Sequence, residues 1–110
     1  MYGAILGDII GSPFEFDQGN KSKEFPLFSK NSTFTDDSVM TIAVAEATMD
    51  LLHEAYGARS KMIASMKKYG KLFPRAGYGS MFRRWIQWDE PQPYGSYGNG
   101  SAMRVSSVAW

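Results

Sequence analysis

Residues 34–47 read Phe-Thr-Asp-Asp-Ser-Val-Met-Thr-Ile-Ala-Val-Ala-Glu-Ala, and this stretch decides the fold class of the chain. A hydroxyl and two adjacent carboxylates precede a run in which apolar residues recur every three or four positions. That spacing predicts an amphipathic helix over residues 36–56, which Gly57 would end. The predicted apolar face comprises Val39, Met40, Ala43, Val44, Ala47, Leu51 and Leu52.

Thr35, Asp36 and Asp37 allow two interpretations at the start of this helix. Threonine is a preferred N-cap residue, and acids in the first turn interact favourably with the helix dipole, so the three residues could simply begin the helix. Their oxygen atoms are also the ligands that Mg²⁺ prefers, and two adjacent carboxylates can serve two metal ions. The residues alone favour capping, and both interpretations stay open.

The remaining helices show the same spacing of apolar residues and are predicted at residues 2–10, 60–69, 80–88 and 101–110. The first is expected to be buried, Gly70 and Pro74 should end the second, and Ser80 should cap the third. The polar segments 17–33 and 89–100 contain glycine and proline and are predicted surface loops. No segment alternates as a strand does, so the predicted fold class is all-α.

Composition narrows the classes of function. The chain has 110 residues, of which 44% are hydrophobic, so a single folded domain is expected. A net charge of +1 gives no general attraction to nucleic acid or to an anionic membrane, and neither is expected as a partner. The chain has no cysteine and one histidine, which excludes disulfides and thiolate sites and makes oxygen the expected metal ligand. No basic leader precedes the first apolar segment, so a cytoplasmic protein is expected.

Two further segments are candidate sites. The glycines of Gly98-Asn99-Gly100-Ser101 and the helix predicted to follow them could bind a phosphate, although an ordinary flexible turn is the commoner meaning of such a motif. Glu15 lies between two phenylalanines, which could desolvate it and favour general acid or base use. A solvated loop glutamate is the commoner alternative.

Several aromatic residues and Asp8 could each have either a structural or a functional role. The aromatic residues of the second half could stack on a base or ribose, but such residues more often belong to a core. They are Phe73, Tyr78, Phe82, Trp85, Trp88, Tyr94 and Tyr97. Asp8 is unusual within an apolar helix and could cap, pair or reach a polar site.

Three blocks of sequence carry a family resemblance when they are taken together and in order. They are residues 3–16 (Gly-Ala-Ile-Leu-Gly-Asp-Ile-Ile-Gly-Ser-Pro-Phe-Glu-Phe), 34–38 (Phe-Thr-Asp-Asp-Ser) and 98–104 (Gly-Asn-Gly-Ser-Ala-Met-Arg). The chain resembles the ADP-ribosylglycohydrolase family, which includes dinitrogenase reductase-activating glycohydrolase. The blocks spread across most of the chain, which makes their common order informative.

The resemblance implies an all-α orthogonal helical bundle with a binuclear Mg²⁺ or Mn²⁺ centre. It implies metal ligation by Thr35, Asp36 and Asp37, and catalytic roles for Glu15 and Asp37. The residues implied to line the cleft for an ADP-ribose-bearing substrate are Gly98, Asn99, Gly100 and Ser101. The implied reaction is hydrolysis of the glycosidic bond between ADP-ribose and a protein side chain or small acceptor.

The chain differs from the other members of the family it resembles in its length. Family members are longer, and their second group of acidic metal ligands lies in a carboxyl-terminal part. Residues 1–110 are therefore expected to form a single domain that corresponds to the amino-terminal portion of a truncated family fold. The alternative function is a non-catalytic helical module that binds ADP-ribose or associates with itself.

Overall fold

A computed structural model describes residues 1–16 and 22–109 of the chain. Its α-helices are α1 (Tyr2–Gly11), α2 (Asp36–His53), α3 (Ala58–Leu72), α4 (Ser80–Trp85) and α5 (Gly100–Met103). Short 3₁₀ turns follow α1 at Ser12–Phe14 and α5 at Val105–Ser107. The all-α prediction is confirmed, since the described residues contain helices and no strand.

Helix α2 is the centre of the fold. The helices α1 and α3 and the 3₁₀ turn Val105–Ser107 all pack against it. The buried core joins one face of α2 to the turn before α4 and to the end of α4, and its members are Val39, Met40, Ala43, Ala76, Tyr78, Trp85 and Ile86. The predicted apolar face is thus buried over its first three turns, whereas Leu52 near the end is 81% exposed, contrary to expectation.

The turn between α2 and α3 differs from the predicted one. Helix α2 ends at His53 rather than at residue 56, and Glu54 already has an extended backbone. Lys61 explains the early end, because its ammonium group donates to the carbonyls of Asp50 and Glu54 and draws α3 back against them. Gly57 begins α3 instead of ending α2, with a φ of +74° that favours glycine.

Gly70 was expected to end α3 but lies inside it. The helix continues to Leu72, and Gly70 is buried. A Cβ atom at Gly70 would lie only 2.6 Å from Cδ1 of Ile86, a buried core residue. Glycine at this position therefore allows the segment after α4 to contact α3 closely. The α3 residues Ile63, Met66 and Tyr69 pack against this core.

The two last helices are shorter than predicted. Helix α4 ends at Trp85, and its N-cap is Gly79, so the expectation that Ser80 caps it is wrong. Helix α5 has four residues, and the chain then forms a 3₁₀ turn in which the Ser107 hydroxyl donates to the Thr41 carbonyl at 2.9 Å. This bond ties the turn to α2 and redirects the chain. Residue 110 of the predicted final helix lies outside the described residues.

Helix α1 forms where predicted but is not buried. None of its residues is fully buried, and Tyr2 and Leu6 are 82% and 48% exposed. Within the predicted loop 17–33, residues 22–33 contain no helix or strand, and residues 17–21 lie outside the described part of the chain. No helix formed by the described residues has the length and apolar character of a membrane span.

Two glycines provide a matched test of this packing. A Cβ atom at Gly7 would have no neighbour within 4 Å. We therefore expect Gly7→Ala to raise the free energy of unfolding by about 0.5–1 kcal/mol through helix propensity. Gly70→Ala should lower it by about 1–3 kcal/mol, because the buried Ile86 side chain must shift. Denaturant titration measures both, and equal effects of the two substitutions would contradict the packing described.

Candidate active site

The carboxylate of Asp8 joins α1 to the first turn of α2. Its Oδ1 accepts from the Thr35 hydroxyl at 2.6 Å. Its Oδ2 accepts from the Thr35 backbone N–H at 2.8 Å, the Ser38 N–H at 3.1 Å and the Ser38 hydroxyl at 2.5 Å. One side chain thus receives four hydrogen bonds from two residues that lie 27 and 30 positions along the chain. The carboxylate therefore fixes where α2 begins relative to α1.

Thr35 caps α2, as the simpler interpretation expected. Its hydroxyl oxygen accepts from the N–H of Asp37 at 3.3 Å while its proton is donated to Asp8. A hydroxyl oxygen has two lone pairs, so one remains available after these two bonds. Capping and metal ligation are therefore compatible at this oxygen.

Asp36 and Asp37 open onto a cleft of about 1030 Å³. The cleft runs from the start of α2, past the turn that precedes α4, to the bend that precedes α5. The predicted site residues in its wall are Glu15, Asp36, Asp37, Gly98, Asn99, Gly100 and Ser101. Thr35 is not part of that wall and lies behind it, against Asp8. The fold thus brings together residues that are up to 86 positions apart in the sequence, from Glu15 to Ser101.

Several carboxylates lie near one another at the acidic end of this cleft, and their negative charges repel. Burial is the main cause that raises the pKa of Asp36, and the negative charge of Asp37 adds to it, with smaller effects from Glu15 and Asp8. Burial, then Asp8, raises the pKa of Asp37. Neither aspartate takes part in either of the two ion pairs that the described residues form. Within residues 1–16 and 22–109, neither carboxylate is therefore neutralised by an ion pair.

The rest of the cleft is aromatic and open. Phe82, Trp85, Tyr94 and Tyr97 contribute to its wall. Trp85 is buried and belongs to the core, whereas Tyr97 is fully exposed and presents a free ring. Of the two roles considered for the aromatic residues, core packing therefore applies to Trp85, whereas the ring of Tyr97 is accessible to a ligand.

A comparison with known protein families agrees with the resemblance that the three sequence blocks carry. The sequence profile described as ADP-ribosylglycohydrolase matches residues 1–110. The chain belongs to the ADP-ribosylglycohydrolase family. No solved structure matches the chain significantly.

The metal ions that the sequence resemblance implies can be tested for fit against these residues. Asp36, Asp37 and the free lone pair of Thr35 supply hard oxygen donors. Among residues 1–16 and 22–109, no three carboxylate or imidazole side chains converge as a metal-binding group. Mg²⁺ commonly binds one or two carboxylates and keeps several waters, so the donor set fits this ion without enclosing it.

Glu15 is in the cleft but is not desolvated. The residue is exposed, and the neighbouring Phe16 is 85% exposed, so of the two alternatives the solvated loop glutamate is the one found. Phe14 instead packs edge-on against Phe25, with ring centroids 5.1 Å apart. The Glu15 carboxylate is therefore accessible to water at the cleft surface.

The sequence left open the roles of two residues next to the site. Asp8 could cap, pair or reach a polar site, and Tyr78 was one of the aromatic residues that could stack on a base or belong to the core. The Tyr78 hydroxyl is buried without a hydrogen-bond partner among the described residues, although its ring packs on Phe82 at 5.3 Å. Burial, and secondarily the charge of Asp36, raises the pKa of Tyr78 to about 12. A buried neutral hydroxyl is thus electrostatically coupled to a site carboxylate.

The raised pKa of Asp36 predicts a dependence of stability on pH. As pH rises above the ordinary pKa of 3.8, the unfolded state loses its proton first, so the native carboxylate progressively destabilises the fold. The substitution Asp36→Asn removes this loss. In metal-free buffer, we expect the stability difference between variant and parent to shift in favour of the variant from about pH 3 to about pH 7.

Asp89→Asn is the matched control, because Asp89 is exposed and lies outside the cleft wall. The free energies of unfolding of the three proteins are measured by denaturant titration across the pH range. A pH-independent difference between Asp36→Asn and the parent would contradict the electrostatic environment described for Asp36.

Proposed function

We propose that this protein is a metal-dependent hydrolase that cleaves the glycosidic bond between ADP-ribose and a modified protein side chain or small acceptor. The observation that carries the proposal is that one cleft combines Glu15, Asp36 and Asp37 with the bend at residues 98–101. Family membership supports the glycohydrolase class. A cytoplasmic location is part of the proposal, as expected from the sequence.

The carboxylates of Asp36 and Asp37 and the hydroxyl of Thr35 would hold Mg²⁺ or Mn²⁺ at the acidic end of the cleft. When bound, such ions supply charge that orients ribose hydroxyls and activates a water. Asp8 has a supporting role here. Because it accepts the Thr35 proton, it turns the remaining lone pair of that hydroxyl away from itself.

Glu15 and Asp37 are the proposed proton-transfer groups. Cleavage at the ribose anomeric carbon builds positive charge there, while the leaving group needs a proton and the attacking water must lose one. Glu15 is accessible at the cleft surface, which suits a carboxylate that exchanges protons with water. Asp37 lies beside it in the cleft and also faces the small pocket that Asp8 and Glu15 line.

The bend at residues 98–101 is the proposed substrate-binding wall. Gly98 and Gly100 place no side chain between the backbone and a ligand, so a ribose or phosphate can approach closely. The Ser96 hydroxyl accepts from the Gly98 N–H at 3.1 Å and holds the bend. Asn99 and Ser101 add side-chain donors, and the exposed ring of Tyr97 offers a face for a base.

A non-catalytic or self-associating module is the second candidate. Large apolar side chains are exposed on α1 and near the end of α2, including Tyr2, Leu6, Met49, Leu52 and Tyr56. Exposed apolar surface of this kind favours association. An ADP-ribose-binding module of this class would bind its ligand independently of Mg²⁺ and would release no product.

The double substitution Asp36→Asn with Asp37→Asn tests the hydrolase proposal. Mg²⁺ should raise the Tm of the parent protein and leave the Tm of the double variant unchanged. Release of ADP-ribose from ADP-ribosylated arginine should fall by more than ~100-fold, because losing even a residue that supports a metal ligand costs about 10–100-fold. Asp89→Asn should retain both responses.

Calorimetry with ADP-ribose, with and without Mg²⁺, separates the two candidate functions. Metal-dependent binding together with turnover supports the hydrolase. Metal-independent binding without turnover supports the binding module. An unchanged Mg²⁺ response in the double variant would rule out Asp36 and Asp37 as ligands.

A further inference from the structure

Arg104 is one of two arginines in the cleft wall, and neither the metal nor the proton-transfer proposal uses it. It follows α5 directly, is partly buried and lines the cleft. Its guanidinium carbon lies 5.9 Å from the centroid of the Phe82 ring. One guanidinium nitrogen would lie 3.7 Å from a Cβ atom at Gly100, so the group extends back along the bend. Arg104 therefore lies beside the proposed substrate-binding wall.

The guanidinium forms no ion pair in the part of the chain that the structure describes, although the negative charge of Asp36 acts on it from within the same cleft. The two ion pairs among the described residues join Lys61 to Glu54 and Lys68 to Glu46. No hydrogen bond from Arg104 to a described residue is formed either, although a guanidinium carries five N–H donors. Charged groups removed from water are normally paired, and burial lowers the pKa of Arg104 because it disfavours the charged form.

The other arginine in the cleft wall shows the contrast. Arg59 is exposed, and its guanidinium donates to the side chain of Gln92 at 3.2 Å. Arg104 is less exposed and yet has no such partner. The face of the Phe82 ring lies at one side of the Arg104 guanidinium and restricts its orientation. The paired N–H donors of the guanidinium therefore remain available to a ligand.

We propose that Arg104 binds phosphate groups of the substrate in this cleft. The inference rests on the proposed function and adds to it the residue that recognises the diphosphate. A planar guanidinium matches two phosphate oxygens with two parallel N–H donors. A ligand with a diphosphate and a ribose would then place its phosphates at Arg104 and direct its ribose toward the proposed metal ligands Asp36 and Asp37.

The substitution Arg104→Met tests this role with inorganic pyrophosphate as the probe. Methionine keeps much of the apolar stem that contacts Phe82 and removes the charge and the donors. Calorimetry in metal-free buffer excludes any contribution from divalent cations. The dissociation constant of pyrophosphate should rise at least ~10-fold, whereas adenosine, which has no phosphate, should bind Arg104→Met and the parent equally.

Two further variants separate recognition from folding. The substitution Arg104→Lys retains the positive charge but loses the planar guanidinium with its paired N–H donors. It should therefore weaken pyrophosphate binding less than Arg104→Met does. Arg83→Met is the matched control, because Arg83 is exposed on α4 and is not in the cleft wall. It should bind pyrophosphate as the parent does. If Arg104→Met does not fold, Arg104→Lys decides the question by weaker pyrophosphate binding at unchanged Tm.

The outcomes distinguish this inference from the hydrolase proposal. Pyrophosphate binding that is absent in the parent, or that is equal in the parent and Arg104→Met, would overturn the role of Arg104 even where ADP-ribose is released normally. Pyrophosphate binding that depends on Arg104, without release of ADP-ribose from any substrate, would support the anion site and count against the hydrolase.

Discussion

The Asp8 carboxylate is the contact on which the site depends. It accepts the backbone and side-chain donors of Thr35 and Ser38 and so satisfies the first turn of α2 from a different helix. Backbone N–H groups in a helix's first turn have no partner within the helix and must be satisfied from outside it. Because α1 provides that acceptor, the position of α2 and the direction of Asp36 and Asp37 follow from one side chain. The Ser12 hydroxyl adds a second link, since it accepts from the N–H of Thr33 at 3.0 Å.

Several polar and charged groups at the site make the unliganded fold less stable, because they lack the partners that such groups normally have. Asp8 accepts four hydrogen bonds, whereas Asp36 and Asp37 are partly buried next to other carboxylates and form no ion pair with the described residues. In the same part of the chain, the buried Tyr78 hydroxyl has no hydrogen-bond partner and Arg104 forms no ion pair. Each of these groups costs free energy in the unliganded protein, and such departures from ordinary packing are expected where a fold binds a ligand. They are concentrated at one cleft.

The sequence predicted the features that depend on neighbouring residues. The all-α class, the start of α2 and the capping by Thr35 follow from periodicity and cap chemistry, and all are found. The failures involve distant partners. Lys61 ends α2 early, Ile86 explains Gly70, and Ser107 redirects the chain after α5. None of these contacts can be inferred from local spacing, because each joins residues of different elements.

The same division applies to the candidate site. The acidic residues before α2 and the glycine-rich bend were evident as motifs, and their presence in one cleft is a result of the tertiary fold. The solvated state of Glu15 was one of the two alternatives that the sequence offered, whereas the buried Tyr78 hydroxyl, which has no hydrogen-bond partner among the described residues, depends on packing and was not predictable. Asp8 was noticed as unusual, but its role requires knowing that α1 and the start of α2 are adjacent.

A double-mutant cycle between Asp8 and Ser38 tests the central claim most directly. The free energies of unfolding of the parent, Asp8→Asn, Ser38→Ala and the double variant are compared in metal-free buffer. If Asp8 anchors the first turn of α2, the two substitutions should be coupled by about 1–3 kcal/mol, as expected for hydrogen bonds to a charged group. Effects that add to within about 0.5 kcal/mol would show that Asp8 does not hold α2, and would contradict the account.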